Sequence, residues 1–123
     1  MRRDPRAFLW DIQSAADSIA SFTAGLDHGA YSESELIQAA VERKFEIIGE
    51  ALAQMAKLRP DLAARVPEFR EIIAFRNILL HGYAAVESVR VWRIADSALP
   101  KLRAAVAYIL QELGGSCKTG SAA

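Results

Sequence analysis

The sequence has few of the residues that metal sites and disulfides require: its 123 residues include one cysteine and two histidines. A single cysteine excludes an internal disulfide, and one cysteine with two histidines excludes the usual zinc clusters. No apolar run reaches the roughly 18 residues that a membrane span needs. Asp11 interrupts the first apolar stretch, which therefore does not resemble a signal-peptide core. We expect a cytoplasmic protein without metal, cofactor or membrane partner.

The chain also lacks an excess of charge of either sign, with 15 basic and 15 acidic residues. Proteins that coat nucleic acid without specificity are usually basic, because their affinity comes from neutralising phosphates. Any contact with nucleic acid must then come from a local patch. The segment 65–103 holds seven basic residues and four acidic ones. This surplus fits either such a patch or ordinary solvated helix faces.

Apolar residues at intervals of three and four dominate the chain and predict amphipathic helices. The predicted helices cover about 5–24, 32–59, 67–82 and 88–113. The segment Ser32-Glu33-Ser34-Glu35 is typical of a capping box that opens the second helix, and Ser88 is a plausible N-cap for the last one. Pro100 should kink the last helix or divide it in two. His28 is expected in an exposed loop.

No stretch of the sequence alternates as a half-buried strand does. The length suits a single domain, and the long helices suit a bundle. The sequence therefore predicts an all-α fold, an up-down bundle of four to five helices that covers residues 1–113. Residues 114–123, which begin with two glycines and carry the cysteine, are predicted to form a disordered tail.

Polar side chains interrupt the apolar third helix in the segment Arg76-Asn77-Ile78-Leu79-Leu80-His81-Gly82-Tyr83. Arginine can hold a phosphate with two parallel hydrogen bonds, and histidine exchanges a proton near neutral pH. Tyrosine adds a hydroxyl and an aromatic face. Together these groups suit metal-free cleavage of RNA, with the 2′-hydroxyl of the RNA as the nucleophile. The alternative is a structural role, a capped helix end whose histidine is hydrogen-bonded.

Helical geometry limits that interpretation. At about 100° per residue, Arg76 and Tyr83 are about 20° apart, but His81 is about 140° from Arg76. One straight helix would not bring Arg76 and His81 together. Their convergence requires the helix to unwind at Gly82, or a second copy of the chain to supply the other half of the site.

Glu50 is the candidate counter-charge for Arg76, since a buried arginine needs one. It follows Gly49 in an apolar run, and the glycine permits another backbone to approach closely. The alternative is a surface glutamate. Arg43 and Glu46, one turn apart, are expected to form a solvated pair.

Trp10 and Trp92 are expected to pack in the core or at a dimer contact rather than to stack on bases.

The segment from Arg76 to Tyr83 resembles the R-x4-H-x-Y signature of the HepT-like toxins, a branch of the HEPN superfamily. The likeness extends from Asp11 to Leu102. It includes Ile47-Ile48-Gly49-Glu50-Ala51, Phe75-Arg76-Asn77, Val91-Trp92 and Leu99-Pro100. The family often has a tryptophan near Phe69 and an aspartate where Glu87 stands, and neither departure touches the signature.

The resemblance implies an HEPN-like helical bundle that forms a homodimer, with the two signatures facing a shared cleft. It implies a metal-independent endoribonuclease that acts on RNA as the toxin of a type VII-like toxin–antitoxin pair. Arg76 and His81 would be catalytic, and Asn77 and Glu50 would support them. The implied partner is a minimal nucleotidyltransferase that adds AMP units to the signature tyrosine, here Tyr83. Phosphates added there would fill the anion site and repel RNA.

Two other functions remain open at this point. The chain could be a non-catalytic helical module that serves as the partner subunit of a nucleotidyltransferase. It could also be a helical assembly scaffold without a substrate.

Overall fold

A computed structural model describes residues 4–81 and 87–114 of the chain, which are almost entirely helical. The helices are α1 (Pro5–Thr23), α2 (His28–Ser32), α3 (Glu35–Leu58), α4 (Pro60–Ala63), α5 (Phe69–His81), α6 (Ser88–Arg93) and α7 (Leu99–Glu112), with a π-helical turn (Ile94–Ala98) between α6 and α7. No strand occurs in these two ranges, so the all-α prediction is confirmed. None of the helices described is both long enough and apolar enough to cross a membrane.

The long helices form a bundle around α3. Helix α1 packs along one side of α3, α5 packs along another side, and α7 packs against α1. The side chains at the centre are fully enclosed: Leu9, Ile12 and Ile19 of α1, Ile48 and Leu52 of α3, and Val106 of α7. Burial of each large aliphatic side chain contributes about 1.5–3 kcal/mol to the stability of the fold. The packing of the apolar faces of α1, α3 and α7 against one another therefore stabilises the bundle.

The start of α3 differs from the prediction. Its N-cap is Ser34, whose hydroxyl accepts a hydrogen bond from the Ile37 amide at 3.1 Å. The capping box predicted from Ser32 is therefore wrong, because Ser32 ends the short helix α2, which Asp27 caps. Four-residue and five-residue helices have too few turns to show a periodic apolar pattern, so the sequence did not reveal α2.

The last predicted helix is divided, as Pro100 suggested. The π-helical turn directly precedes Pro100, which lies in the first turn of α7. Ser88 does not cap α6, because the N-cap is Glu87 and the Ser88 hydroxyl lies 2.8 Å from the hydroxyl of Ser32 instead. Gly114, at φ +76°, follows the last turn of α7.

Helices α3 and α5 are in close contact at Gly49, which is buried in the interface. A Cβ atom at this position would overlap the Arg76 Cβ and lie 2.7 Å from the Arg76 Cγ. These atoms are at the root of the arginine side chain and cannot swing away. The absence of a side chain at position 49 therefore sets the distance between the two helices.

Gly49→Ala should lower the free energy of unfolding by about 1–3 kcal/mol, because the new methyl group forces α5 away from α3. Thermal or urea unfolding followed by circular dichroism measures the change. Gly29→Ala is the matched control, since a Cβ there meets only an oxygen of Asp27 at 3.5 Å. That variant should be as stable as the parent or slightly more stable. Equal stability of both variants would contradict a steric role for Gly49.

Candidate active site

Helix α5 has one buried face and one exposed face, and the signature residues lie across both. Ile72 and Phe75 are buried, and the Phe75 ring meets the Phe45 ring of α3 edge-on, with 5.6 Å between their centroids. Asn77 and His81 are exposed. The buried residues anchor α5 on α3 and leave the polar side chains of the helix facing outward.

Arg76 lies at the edge between the two faces, where α3 holds it. Its Nη1 donates a hydrogen bond to Oε1 of Glu50 at 2.8 Å, and its side chain is 16% exposed against 53% for Glu50. The predicted contact between the two side chains is present, while their roles in a reaction stay predictions. Gln54 Nε2 donates to the other Glu50 oxygen at 3.0 Å. Sequence reasoning missed this contact, although an i,i+4 spacing is its signal.

The Nε of Arg76 is enclosed and has no hydrogen-bond partner among the residues described. An enclosed donor without a partner costs about 1–3 kcal/mol, so this guanidinium is not placed for maximum stability. It is fixed by packing against Gly49 and by the ion pair with Glu50. A guanidinium that is held before substrate arrives needs little reorganisation to receive a phosphate.

His81 is the last residue of α5 and is exposed. Its Nδ1 donates a hydrogen bond to the Asn77 carbonyl oxygen at 2.6 Å, since a carbonyl can only accept. This bond fixes the tautomer of the neutral ring, whose lone pair then lies on Nε2. A histidine oriented in this way can take up a proton at Nε2 and release it again.

Within the described residues, α5 directs the side chains of Arg76 and His81 to different sides of the helix. Helix α5 stays α-helical through His81. The side chains therefore keep the separation of about 140° that a regular helix imposes. Glu50 and Arg76 lie on the α3 side of α5, whereas His81 lies on its exposed side. Within the described residues, a single chain presents two separate halves of the predicted site.

The remaining signature residues contribute differently. Asn77 is exposed, and its backbone oxygen orients His81. Gly82 and Tyr83 lie outside the described residues. The predicted helix end at Gly82 and the predicted position of Tyr83 beside Arg76 therefore stay predictions.

A groove of about 660 Å³ lies beside Glu50, between α1, α3 and the end of α5. Its walls combine apolar side chains with charged ones of both signs. They include Phe8, Asp11, Arg43, Ile47, Lys57 and Leu80. Leu80 is 52% exposed. The groove therefore extends from Glu50 of α3 to Leu80 in the last turn of α5.

His28 is not in an exposed loop, so that prediction is wrong. It begins α2 and is half-buried, with Nε2 at 3.0 Å from the Ser32 hydroxyl. The Ser88 hydroxyl is 3.5 Å from the same nitrogen, and the ring of Trp92 is 6.5 Å away between centroids. These contacts join α2 to the start of α6. The sequence gives no signal for them, because the residues involved are about 60 positions apart.

The aromatic residues near this junction serve packing. The Tyr31 ring is fully buried and lies 5.3 Å from the ring of Trp92, as the packing role expected for Trp92 requires. Burial, with a smaller contribution from Glu42, raises the pKa of the Tyr31 phenol to about 12, so it stays neutral.

Burial and the nearby Glu46 raise the pKa of Glu42. Arg43 and Glu46 form the predicted surface pair at 3.0 Å.

No group of three histidine, cysteine, aspartate or glutamate side chains that could hold a metal ion occurs in residues 4–81 and 87–114.

Comparison with known proteins identifies relatives along nearly the whole chain. The sequence model of the HepT-like family, described as Ribonuclease HepT-like, matches residues 12–109. The protein named Putative RNase MJ1380 of Methanocaldococcus jannaschii is 32% identical over 108 residues, 88% of this chain and 98% of that protein. Probable ribonuclease HepT of Thermococcus cleftensis is 30% identical over 103 residues, 84% of this chain and 93% of that protein. No solved structure matches the chain with significance.

Proposed function

Because this chain belongs to the HepT-like ribonuclease family, we propose that it is a metal-independent endoribonuclease that acts as the toxin of a toxin–antitoxin pair. The observation that carries the proposal is the position of Arg76. Gly49 contacts the base of its side chain and Glu50 binds its guanidinium, and the same helix carries an oriented His81. The relatives named as ribonucleases support RNA as the substrate. RNA and the proposed partner are both expected in the cytoplasm, where we expect the protein to act.

The proposed reaction is an internal transfer at one phosphodiester of RNA. The 2′-oxygen attacks phosphorus while the bond to the 5′-oxygen breaks, which gives a 2′,3′-cyclic phosphate and a 5′-hydroxyl. His81 exchanges the proton through Nε2, and Arg76 stabilises the charge that develops on the phosphoryl oxygens. The proton lost by the 2′-hydroxyl balances the one gained by the leaving oxygen. Asn77 supports the reaction through the hydrogen bond that orients His81.

We further propose that the site is completed by a second copy of the chain. Arg76 and His81 lie about 140° apart on a regular helix, so within one protomer their side chains leave α5 in different directions. A two-fold axis beside the exposed face of α5 would bring Arg76 of one protomer towards His81 of the other. The homodimer thereby becomes a requirement of the reaction.

The same separation favours one alternative, a non-catalytic module that binds a nucleotidyltransferase. In that case Arg76 would bind the phosphate of a nucleotide held by the partner. His81 would have only a structural role, as the hydrogen-bonded last residue of α5. Such a module would leave RNA intact.

Purified protein should cleave total RNA in the presence of EDTA, and His81→Ala should reduce the rate by about 10²–10⁴-fold, the usual contribution of general acid–base catalysis. His28→Gln is the matched control, since His28 is the other histidine and lies in the α2–α6 junction. RNA methylated at its 2′-oxygens should resist cleavage. Cleavage that stops in EDTA, or that persists in His81→Ala, would contradict the mechanism.

We propose that a minimal nucleotidyltransferase neutralises the toxin by transferring AMP units to Tyr83. The tyrosine follows His81 by two residues, so attached phosphates would compete with RNA for Arg76. Each guanidinium–phosphate contact is worth about 1.5–3 kcal/mol, and tethering raises the effective concentration of the competitor.

Co-expression with a cognate transferase should add the mass of whole AMP units to the tryptic peptide 77–90 and abolish growth inhibition. Tyr83→Phe should prevent both effects and retain toxicity, because Arg76 and His81 remain. Tyr108→Phe is the control, since that side chain is 60% exposed but lies on α7. Neutralisation of Tyr83→Phe without modification would instead indicate a steric antitoxin.

A further inference from the structure

The groove beside Glu50 follows one stripe of α3 along most of the helix. The α3 residues that line it recur at intervals of three and four between positions 43 and 58, which is about 22 Å of helix. Residues of α1 and Leu80 of α5 also line the groove. Its volume of about 660 Å³ lies within the range of sites that bind small molecules or parts of larger ones.

The stripe has a polar edge and an apolar edge. At about 100° per residue, Glu46 lies about 40° to one side of Glu50, whereas Ile47 and Leu58 lie about 60–80° to the other side. Gly49, which contacts α5, lies about 100° from Glu50 on the same side as Glu46. The polar edge of the groove therefore adjoins α5, and the apolar edge lies away from it.

The polar edge also lies next to Arg76. Glu50 at this edge accepts a hydrogen bond from Nη1 of Arg76 at 2.8 Å. Leu80, which lines the groove, is four residues after Arg76 and about 40° from it on α5. Glu46 precedes Glu50 by one turn, so their Cβ atoms are about 5–6 Å apart. A phosphate bound by Arg76 and a base bound at Glu46 would belong to the same nucleotide or to neighbouring ones.

Two hydrogen-bond acceptors at this edge remain available. Oε1 of Glu46 accepts a hydrogen bond from Arg43 at 3.0 Å, while its Oε2 has no partner among the described residues. Gln54 donates from Nε2 to Glu50, and its carbonyl oxygen likewise has no partner among them. An ionised carboxylate accepts hydrogen bonds and cannot donate them. The edge therefore matches a ligand that presents N–H donors.

The charge of the groove favours a base over a phosphate. Three carboxylates, Asp11, Glu46 and Glu50, face two cations, Arg43 and Lys57, in its described lining. This small excess of negative charge disfavours a phosphate, whereas the apolar edge suits the flat face of a base. Proteins read single-stranded RNA through unstacked bases, which they hydrogen-bond on the Watson–Crick edge. The backbone would then stay at the arginine of α5 while a base enters the groove.

We propose that the groove binds an unpaired guanine of the RNA next to the phosphate that Arg76 holds. Of the four RNA bases, only guanine presents two adjacent N–H donors on its Watson–Crick edge, and a carboxylate can accept both. Glu46 reads this edge, and Ile47 and Leu80 contact the face of the ring. The proposal rests on the proposed function and gives the ribonuclease a preference for sequence.

Cleavage of short single-stranded RNAs that differ at one position measures this preference. The parent protein should cut next to guanine with a kcat/KM at least about tenfold above that for the other bases, as expected from a bidentate contact with a base. Glu46→Gln should bring the ratio close to one, because the amide replaces one of the two acceptors with a donor.

Glu112→Gln is the matched control for Glu46→Gln. Glu112 pairs with Arg65 at 2.9 Å, much as Glu46 pairs with Arg43 at 3.0 Å, but it ends α7 and does not line the groove. Both variants remove one carboxylate charge and one surface ion pair. The control should keep the preference for guanine.

Binding to full-length protein that carries His81→Ala tests the apolar wall of the groove without cleavage. We would follow the fluorescence anisotropy of a labelled single-stranded RNA and of the same strand with an abasic site in place of the guanine. Leu80→Ser should weaken binding of the intact strand about fivefold and leave binding of the abasic strand unchanged. Leu36→Ser is the control, since Leu36 is 81% exposed at the start of α3 and does not line the groove.

The outcomes separate the guanine site from the proposed function. If the parent cleaves RNA without a preference for guanine, or Glu46→Gln keeps that preference, the guanine site is wrong and the ribonuclease stands. If the parent neither binds nor cleaves RNA, both proposals fall. If GMP alone binds as tightly as the RNA strand, the groove holds a free nucleotide. If Glu46→Gln or Leu80→Ser dissociates a dimer by light scattering, the groove is an interface between two chains. Either of these last results overturns the guanine site.

Discussion

The close contact between α3 and α5 at Gly49 is the constraint on which the candidate site depends. Because position 49 has no side chain, the base of the Arg76 side chain lies directly on α3. The next residue of α3, Glu50, then meets the guanidinium at 2.8 Å. A partly enclosed arginine requires such a carboxylate, since an uncompensated charge there would be strongly destabilising. Two consecutive residues of one helix thus provide both the space and the counter-charge for the arginine of another.

The regularity of α5 separates His81 from Arg76. The same helix that fixes Arg76 against α3 carries His81 to its exposed face. The proposed dimer follows from this geometry, because a second protomer is the simplest way to combine a guanidinium and an imidazole that one helix holds apart.

The sequence was sufficient to predict much of the fold and one contact of the candidate site, between Glu50 and Arg76. Long apolar stripes predicted the long helices, and the run around Gly49 predicted the contact between Glu50 and Arg76. The cap of α3 was misplaced because Ser32 and Ser34 both satisfy cap preferences, and only the short helix α2 decides between them. The junction of His28 with Ser88 depends on residues far apart in sequence, which no local pattern encodes.

The most direct test of a composite site is complementation between Arg76→Ala and His81→Ala. Each variant alone should be inactive, because each dimer lacks one group in both of its sites. After random exchange of protomers, half of the dimers are mixed and each mixed dimer has one intact site, so about a quarter of the parent RNase activity should return. Mixed dimers that form, as shown by light scattering with differently tagged protomers, but recover no activity would contradict a site shared between two chains.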